Sequence, residues 1–377
     1  MRKEKRMGKL KEISILHINT AKDWRGGEKQ TYYLASHLHK RGYRSHCICQ
    51  RDSILYQKLV SDSIPSFSVR MRSEFDVYAA LQIAKIAREL NVKILHMHTA
   101  HAHSLGLISN LFYRIPVNIV SRRVDYRVGS NFLSRYKYNY PETYIAVSNA
   151  VRDILIEDGI PSEKVIAVHS GVDFNTYKNI ETDYLFDEYN EICNLSDRIR
   201  IINVAALTPQ KDHETLIRAM STVVKYNNNF LLFILGEGKL KYRLSGLRDK
   251  LGLRDYIIFT GYRDDVINFI KFSDIFVLSS KWEGLGTSII DAMALQKPVI
   301  ATSTGGIPEL IESGSSGMLV GKEDPEELAH VIIHLAGNRD IQKKMAENAY
   351  IRALDFSINN TIEKTLGVYN RMAGELI

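Results

Sequence analysis

Glu283-Gly284-Leu285-Gly286-Thr287-Ser288-Ile289-Ile290-Asp291 joins an apolar run to a helix-length segment through a turn with two glycines and an acid at either end. Upstream, residues 274–280 have the length and the β-branched and aromatic content of a short buried strand; downstream, residues 287–295 predict a helix. Such a junction suits an anion. Gly284 and Gly286 let the backbone approach a ligand closely, and the amides from Leu285 to Thr287 sit at the positive end of the helix dipole. Two carboxylates beside a phosphate would repel it unless they face neutral parts of the same ligand. A nucleotide sugar satisfies both conditions, with its diphosphate on the amides, hexose hydroxyls donating to Glu283 and ribose hydroxyls donating to Asp291. Taken alone, the stretch also fits an ordinary strand-turn-helix with two solvated acids.

The chain around it has 377 residues, which predicts two α/β domains of roughly 170 residues each. Hydrophobic content of 45% and charged content of 25% are those of a soluble globular protein. No apolar run approaches the roughly 18 residues that span a bilayer. The start, Met1 to Arg6, leads into a strand and not into a signal-peptide core, so a cytosolic location is expected. Cys47, Cys49 and Cys193 lack paired spacing and read as reduced thiols. The formal charge is +7, with basic residues in the first ten positions and at Arg114, Arg122, Arg123, Arg127, Arg135 and Lys137. Anionic partners are implied: a nucleotide, a phosphorylated acceptor or the anionic face of a membrane. Nucleic acid is not expected, because no recognised binding module accompanies the charge.

Apolar runs at residues 13–18, 45–49 and 92–97 alternate with helical segments at about 30–41 and 77–90, the pattern of a parallel sheet built from βα units. Between the first strand and its helix, Gly26 and Gly27 form a turn that either approaches a ligand or is simply tight. His96, His98, His101 and His103 cluster at the carboxyl end of a strand, where open α/β sheets bind ligands. Alternate positions with no acid among them do not compose a tetrahedral metal set. A core role remains open for these histidines, foremost His96. Arg122 and Arg123 either hold an anionic acceptor bidentately or bridge to Asp125. A polar, acidic stretch, residues 179–196, reads as a linker, after which the pattern restarts at residues 200–205. Gly236-Glu237-Gly238 forms a second glycine-rich turn after a buried strand, and Lys211 occupies the loop after the restarted first strand.

Glu283, the acid eight positions on, Ala292-Met-Ala294, Lys297-Pro-Val-Ile-Ala301 and Gly305-Gly-Ile-Pro-Glu309 together resemble the retaining glycosyltransferases of family 4. The resemblance implies the GT-B fold, two facing Rossmann-like domains with an interdomain cleft: an acceptor-side domain over residues 1–178, joined by a returning helix at 357–377, and a donor-binding domain over 197–356. It implies Glu283, Lys211 and His98 as catalytic residues. Gly26, Gly27, Gly236, Tyr262, Arg263, Gly284, Leu285, Gly286, Thr287 and Asp291 follow as donor-binding, and His101, Arg122 and Arg123 as acceptor-binding. Two departures are visible. The second acid is usually Glu and here is Asp291, shorter by roughly 1.5 Å, and the Arg usually found five residues before Lys211 is Ala206. No Asp-x-Asp triplet occurs, and neither a cofactor nor a metal is expected. The implied function is transfer of a hexose-like sugar from a nucleotide sugar to a glycan or lipid-linked acceptor, of the kind that builds bacterial surface polysaccharide or lipopolysaccharide. The alternatives are a nucleotide-sugar epimerase of the same fold and a non-catalytic nucleotide-sugar-binding protein.

Overall fold

The computed structural model describes residues 10–129, 132–193, 195 and 198–374. The basic first six residues lie outside that range, as do the side chains of residue 133 and residues 191–193, Cys193 among them. The chain folds as two compact units; one runs to Ser170 and resumes at Ile358, and the other covers Gly171–Ser357.

The first unit is built on seven parallel strands, β1 (Ser14–Asn19), β2 (Ser45–Gln50), β3 (Ser66–Val69), β4 (Val92–Met97), β5 (Val117–Arg122), β6 (Thr143–Ala146) and β7 (Val165–Ala167), in the order β3-β2-β1-β4-β5-β6-β7. Every residue of β1 and of β5 is buried, as expected for parallel strands covered on both faces. The order reverses between β1 and β4, so their carboxyl ends diverge into the crevice that open sheets of this kind offer to ligands. The last helix, Ile358–Ala373, closes the core of this unit. Ile362, Leu366, Tyr369 and Met372 recur on one of its faces and pack against Ile15, Leu34 and Ile94. Each such apolar side chain contributes about 1.5–3 kcal/mol by leaving water.

The second unit repeats the design with six parallel strands, β8 (Ile199–Val204), β9 (Phe230–Leu235), β10 (Ile257–Gly261), β11 (Ile275–Leu278), β12 (Val299–Thr302) and β13 (Met318–Val320), ordered β10-β9-β8-β11-β12-β13. Its reversal falls between β8 and β11, which makes neighbours of the loop that carries Lys211 and the loop that carries Glu283. The 179–196 stretch is corrected: it holds the helix Asp183–Cys193. Leu185 and Tyr189, four residues apart, are both buried, and the Tyr189 ring packs on Phe233 and Phe269. A narrow apolar stripe in an otherwise polar segment is enough to hold a surface helix.

Candidate active site

Lys211 ends the short 3₁₀ turn Pro209–Lys211, and Asp212 then takes a left-handed conformation (φ 44°) to cap the helix His213–Tyr226. Asp212 accepts from the Thr215 amide and hydroxyl, and Ser279 Oγ at the end of β11 donates to the carbonyls of Lys211 (3.2 Å) and Asp212 (3.0 Å). This fixes the backbone from which the Lys211 ammonium reaches the Glu283 carboxylate, where the two form an ion pair. Ser280 Oγ donates to the same Glu283 oxygen at 3.2 Å. The Glu283 side chain keeps only 10% of its exposure and that of Lys211 19%.

The backbone around Glu283 is held as firmly. The Gly306 amide donates to the Glu283 carbonyl at 3.1 Å, and a Cβ on Gly305 (φ 52°) would stand 1.8 Å from that oxygen. Gly305 is therefore a glycine for two reasons, its left-handed backbone and the space it leaves for residue 283. Gly286 (φ 90°) caps the helix Thr287–Ala294, whose first amides have no intrahelical acceptor. Asp291 on that helix is buried, and its Oδ1 accepts from the Tyr177 hydroxyl at 2.6 Å. Sequence reasoning missed Tyr177; its sole local sign was the Gly-Val-Asp turn that precedes the 3₁₀ helix Phe174–Tyr177.

The remaining second-unit candidates divide. Gly236 (φ 140°) and Gly238 serve close packing, since a Cβ would lie 2.1 Å from the Ala205 carbonyl oxygen or 2.4 Å from that of Leu207. Tyr262 is half-exposed and donates to Asp264 at 2.9 Å. Arg263 is drawn into the protein: it chelates Asp265, reaches Glu188 at 3.3 Å and stacks over Phe269, and the Asp265 hydrogen bonds raise its pKa.

In the first unit, Gly26 and Gly27 are the first residues of the helix Gly26–Lys40 and not part of a free loop, a correction to the expected start near residue 30. Gly27 faces Arg123, whose Cδ would lie in ordinary contact, 3.4 Å, with a Cβ placed there. Arg122 and Arg123 do not form a paired clamp, and among the described residues neither bridges to Asp125. Successive residues at a strand end point to opposite faces. Arg122 is spent on the Tyr138 hydroxyl (3.1 Å) and the Tyr126 carbonyl. Arg123 is half-buried near Glu28 and donates to Ser170 Oγ at 3.2 Å; loss of solvent around its guanidinium lowers its pKa to about 10, and burial raises that of Glu28. Its Nε has no partner among the described residues and borders a small cavity lined by Gln30, His96, Ser121, Ser170 and Thr365.

His96 is a core residue: its Nδ1 lies 2.6 Å from the Tyr369 hydroxyl and its Nε2 2.8 Å from Ser121 Oγ. His98 is buried beside it, with Nε2 3.0 Å from Nδ1 of His17, while its own Nδ1 lacks a partner among the described residues. Burial, then the neighbouring histidines and Arg123, hold the pKa of His98 well below the usual imidazole value. So placed, His98 is favoured in its neutral form, which can still donate a hydrogen bond. His17, His96 and His98 each offer a nitrogen within 4.8 Å of the others, a grouping that the sequence did not reveal because His17 comes from β1. As a metal set it fits poorly: both nitrogens of His96 are engaged, no carboxylate is present, and the adjacent guanidinium opposes a cation. His101 is exposed on the helix Ala100–Ser109, and His103 is buried against Tyr138 and Tyr144.

The basic cluster read between residues 114 and 137 is also reduced. Arg122 is buried and Arg123 half-buried, Arg127 pairs with Glu157 and Asp158, and Lys137 pairs with Glu74, which leaves Arg114 and Arg135 exposed.

Two parallel sheets of this order, each with its ligand-binding loops at the strand reversal, define the class of GT-B glycosyltransferases. Residues 24–176 match the family model described as Glycosyltransferase Family 4, and residues 187–352 match that of Glycosyl transferases group 1. The chain belongs to this glycosyltransferase group. The N-acetyl-alpha-D-glucosaminyl L-malate synthase of Bacillus anthracis is 26% identical over 330 residues, covering 84% of this chain and 86% of that one. A glycosyltransferase from Rickettsia africae ESF-5 superposes with a TM-score of 0.82 at 25% identity, over 96% of this chain and 98% of that one. Anabaena Alr3699/HepE, solved with UDP and glucose, superposes with a TM-score of 0.83 at 20% identity, over 94% and 99%.

Proposed function

We propose that this enzyme transfers a hexose-like sugar from a nucleotide-sugar donor to a glycan or lipid-linked acceptor with retention of configuration, in the assembly of a surface polysaccharide or lipopolysaccharide. The observation that carries it is the meeting of Lys211 and Glu283 beside the open amino end of the helix Thr287–Ala294. In this reading the donor diphosphate lies on the amides from Gly284 to Thr287 and draws Lys211 toward itself. Glu283, released from the lysine, accepts from sugar hydroxyls, and Asp291, oriented by Tyr177, accepts from the ribose. Lys211 and the amides stabilise the charge that grows on the leaving diphosphate, so catalysis is differential binding of that anion. The departing diphosphate stays on the face that the acceptor hydroxyl enters and takes its proton, which accounts for retention. In the first unit, His98 donates an N–H to the transferred sugar, and Arg123 with His101 meets an anionic acceptor. The complex of Anabaena Alr3699/HepE with UDP-glucose supports uridine diphosphate sugars as the first donors to test.

The test is a panel of nucleotide sugars screened by thermal stabilisation, where a ligand at 100 times its dissociation constant adds about 2.7 kcal/mol, followed by turnover with the stabilising donor. Donor consumed only with an acceptor supports transfer. Consumption without one supports an epimerase, and binding without consumption supports a binding protein. Glu283→Gln is expected to abolish most turnover while the fold survives. His98→Ala is expected to lower transfer but leave nucleoside diphosphate affinity unchanged, since the nucleotide is assigned to the other unit; normal transfer would return His98 to a purely structural role.

We further propose that the enzyme works at an anionic membrane surface. Among the described residues no helix is long and apolar enough to cross a membrane. Arg114 and Arg135 are exposed, and Phe132 and Tyr136 stand out from the same helix as Arg135 at 81% and 53% exposure. Basic and aromatic residues together suit the headgroup region.

A further inference from the structure

The charges around the proposed donor site do not balance. Lys211 is matched by Glu283, and Asp291 adds a second carboxylate, so the protein groups sum to a negative charge where a diphosphate has to sit. Two other cations at the carboxyl ends of these strands are spent. Lys281 pairs with Glu323 at 2.6 Å and with Asp212 at 3.8 Å, and Arg263 pairs with Asp265 and Glu188. Helix amides lower the energy of an anion but carry no net charge.

Lys239 is a cation left unpaired, as Lys322 after β13 is among the described residues. It follows Gly238 in the turn after β9, is exposed, and has no hydrogen bond or ion pair among the described residues. That turn is clamped to the loop that leads to Lys211. The Leu207 amide donates to the Glu237 carbonyl at 3.0 Å, and the Leu240 amide donates to the Leu207 carbonyl at 3.2 Å. Gly236 and Gly238 bring the two backbones into contact, leaving no room for a Cβ at either position. The flexible lysine thus rises from a rigid base, clamped to Leu207, which stands four residues before Lys211. Glu237, two residues before it, places its Oε1 3.3 Å from where a Cβ on Gly261 would stand.

We infer that Lys239 is a diphosphate-binding residue, supplying from the β9 turn the positive charge that the loop after β8, with alanine at 206, does not provide. This rests on the donor reading above and adds to it a second cation, placed on the adjacent loop. A lysine is suited to the task, since its ammonium acts as a point charge on a long stem and needs no fixed geometry in the empty site.

Calorimetric titration of UDP, ADP, GDP and TDP, each beside its monophosphate, into the full chain tests the inference. With the base that the wild type prefers, Lys239→Ala is expected to weaken the diphosphate on the order of tenfold or more while changing the monophosphate far less, so that the ratio of the two affinities collapses. Lys239→Arg should retain that ratio, Lys241→Ala should leave it intact, and Ala206→Arg in the Lys239→Ala background should restore it by placing the charge on the paired loop. An unchanged ratio in Lys239→Ala, or an equal collapse in Lys241→Ala, overturns the inference while leaving the donor reading in place. Failure of the wild-type chain to bind any of the diphosphates overturns both.

Discussion

Replacing Lys211 by methionine removes one charge of a mostly buried pair and keeps the stem that fills the space. Breaking a fully buried ion pair costs about 3–5 kcal/mol, because the remaining charge is left uncompensated. Here Ser280 still donates to Glu283, and the two side chains retain 10% and 19% exposure, through which water can enter. A loss of about 2–3 kcal/mol is expected for Lys211→Met, or about 4–12 °C in melting temperature for a unit of this size. Glu283→Gln should lose less, since the freed lysine is the more exposed partner. Lys211→Met/Glu283→Gln removes both charges and should be more stable than the sum of the singles predicts, with a coupling of about 1–3 kcal/mol. The chain has two tryptophans, Trp24 and Trp282, so a Trp24→Phe background leaves Trp282, next to Glu283, as the reporter of the second unit during urea unfolding. Additivity within about 0.5 kcal/mol would refute the pair as a stabilising contact. It would also remove the argument that ligand binding has to pull Lys211 away from Glu283.

Gly305→Ala should destabilise the second unit by at least about 3 kcal/mol, since the new Cβ meets the Glu283 carbonyl in a backbone conformation that already disfavours it; the same fluorescence assay with a loss under about 1 kcal/mol would contradict the packing described. The first unit should weaken in mild acid. Burial lowers the pKa of His17 and of His103 to about 3 and holds His96 and His98 well below the usual value, so the unfolded chain takes up protons below about pH 6.5 that the folded unit refuses. Stability is therefore full above that pH and falls below it by up to about 1.4 kcal/mol per pH unit for each imidazole. Urea midpoints read by Trp24 in a Trp282→Phe background should drop between pH 7 and 5, and a flat profile would contradict neutral burial. Sedimentation with phosphatidylglycerol vesicles at low salt should carry the protein down, whereas Phe132→Ser/Arg135→Gln should release it, each exposed basic residue near such a surface being worth about 1 kcal/mol; equal binding to phosphatidylcholine would remove the electrostatic part of the proposal.

Much of this molecule follows from local sequence. Continuous apolar runs of strand length, separated by helical periods, specify parallel βα units wherever they occur, because the driving burial is encoded in each strand by itself. The turn from Glu283 to Asp291 was legible for a similar reason: glycines, a helix start and two acids within nine residues are local features. The helix Asp183–Cys193 was not legible, since its stripe is recognisable only once Tyr189 has Phe233 and Phe269 to lie on. Tertiary structure also decided what each charged or titratable side chain is free to do. Arg122 and Arg123 are adjacent in sequence yet face different surroundings, Lys211 and Glu283 are 72 residues apart yet touch, and burial, more than the neighbouring His96 and His17, holds the pKa of His98 down. Burial and pairing are properties of neighbours brought from distant strands, and charge state follows them.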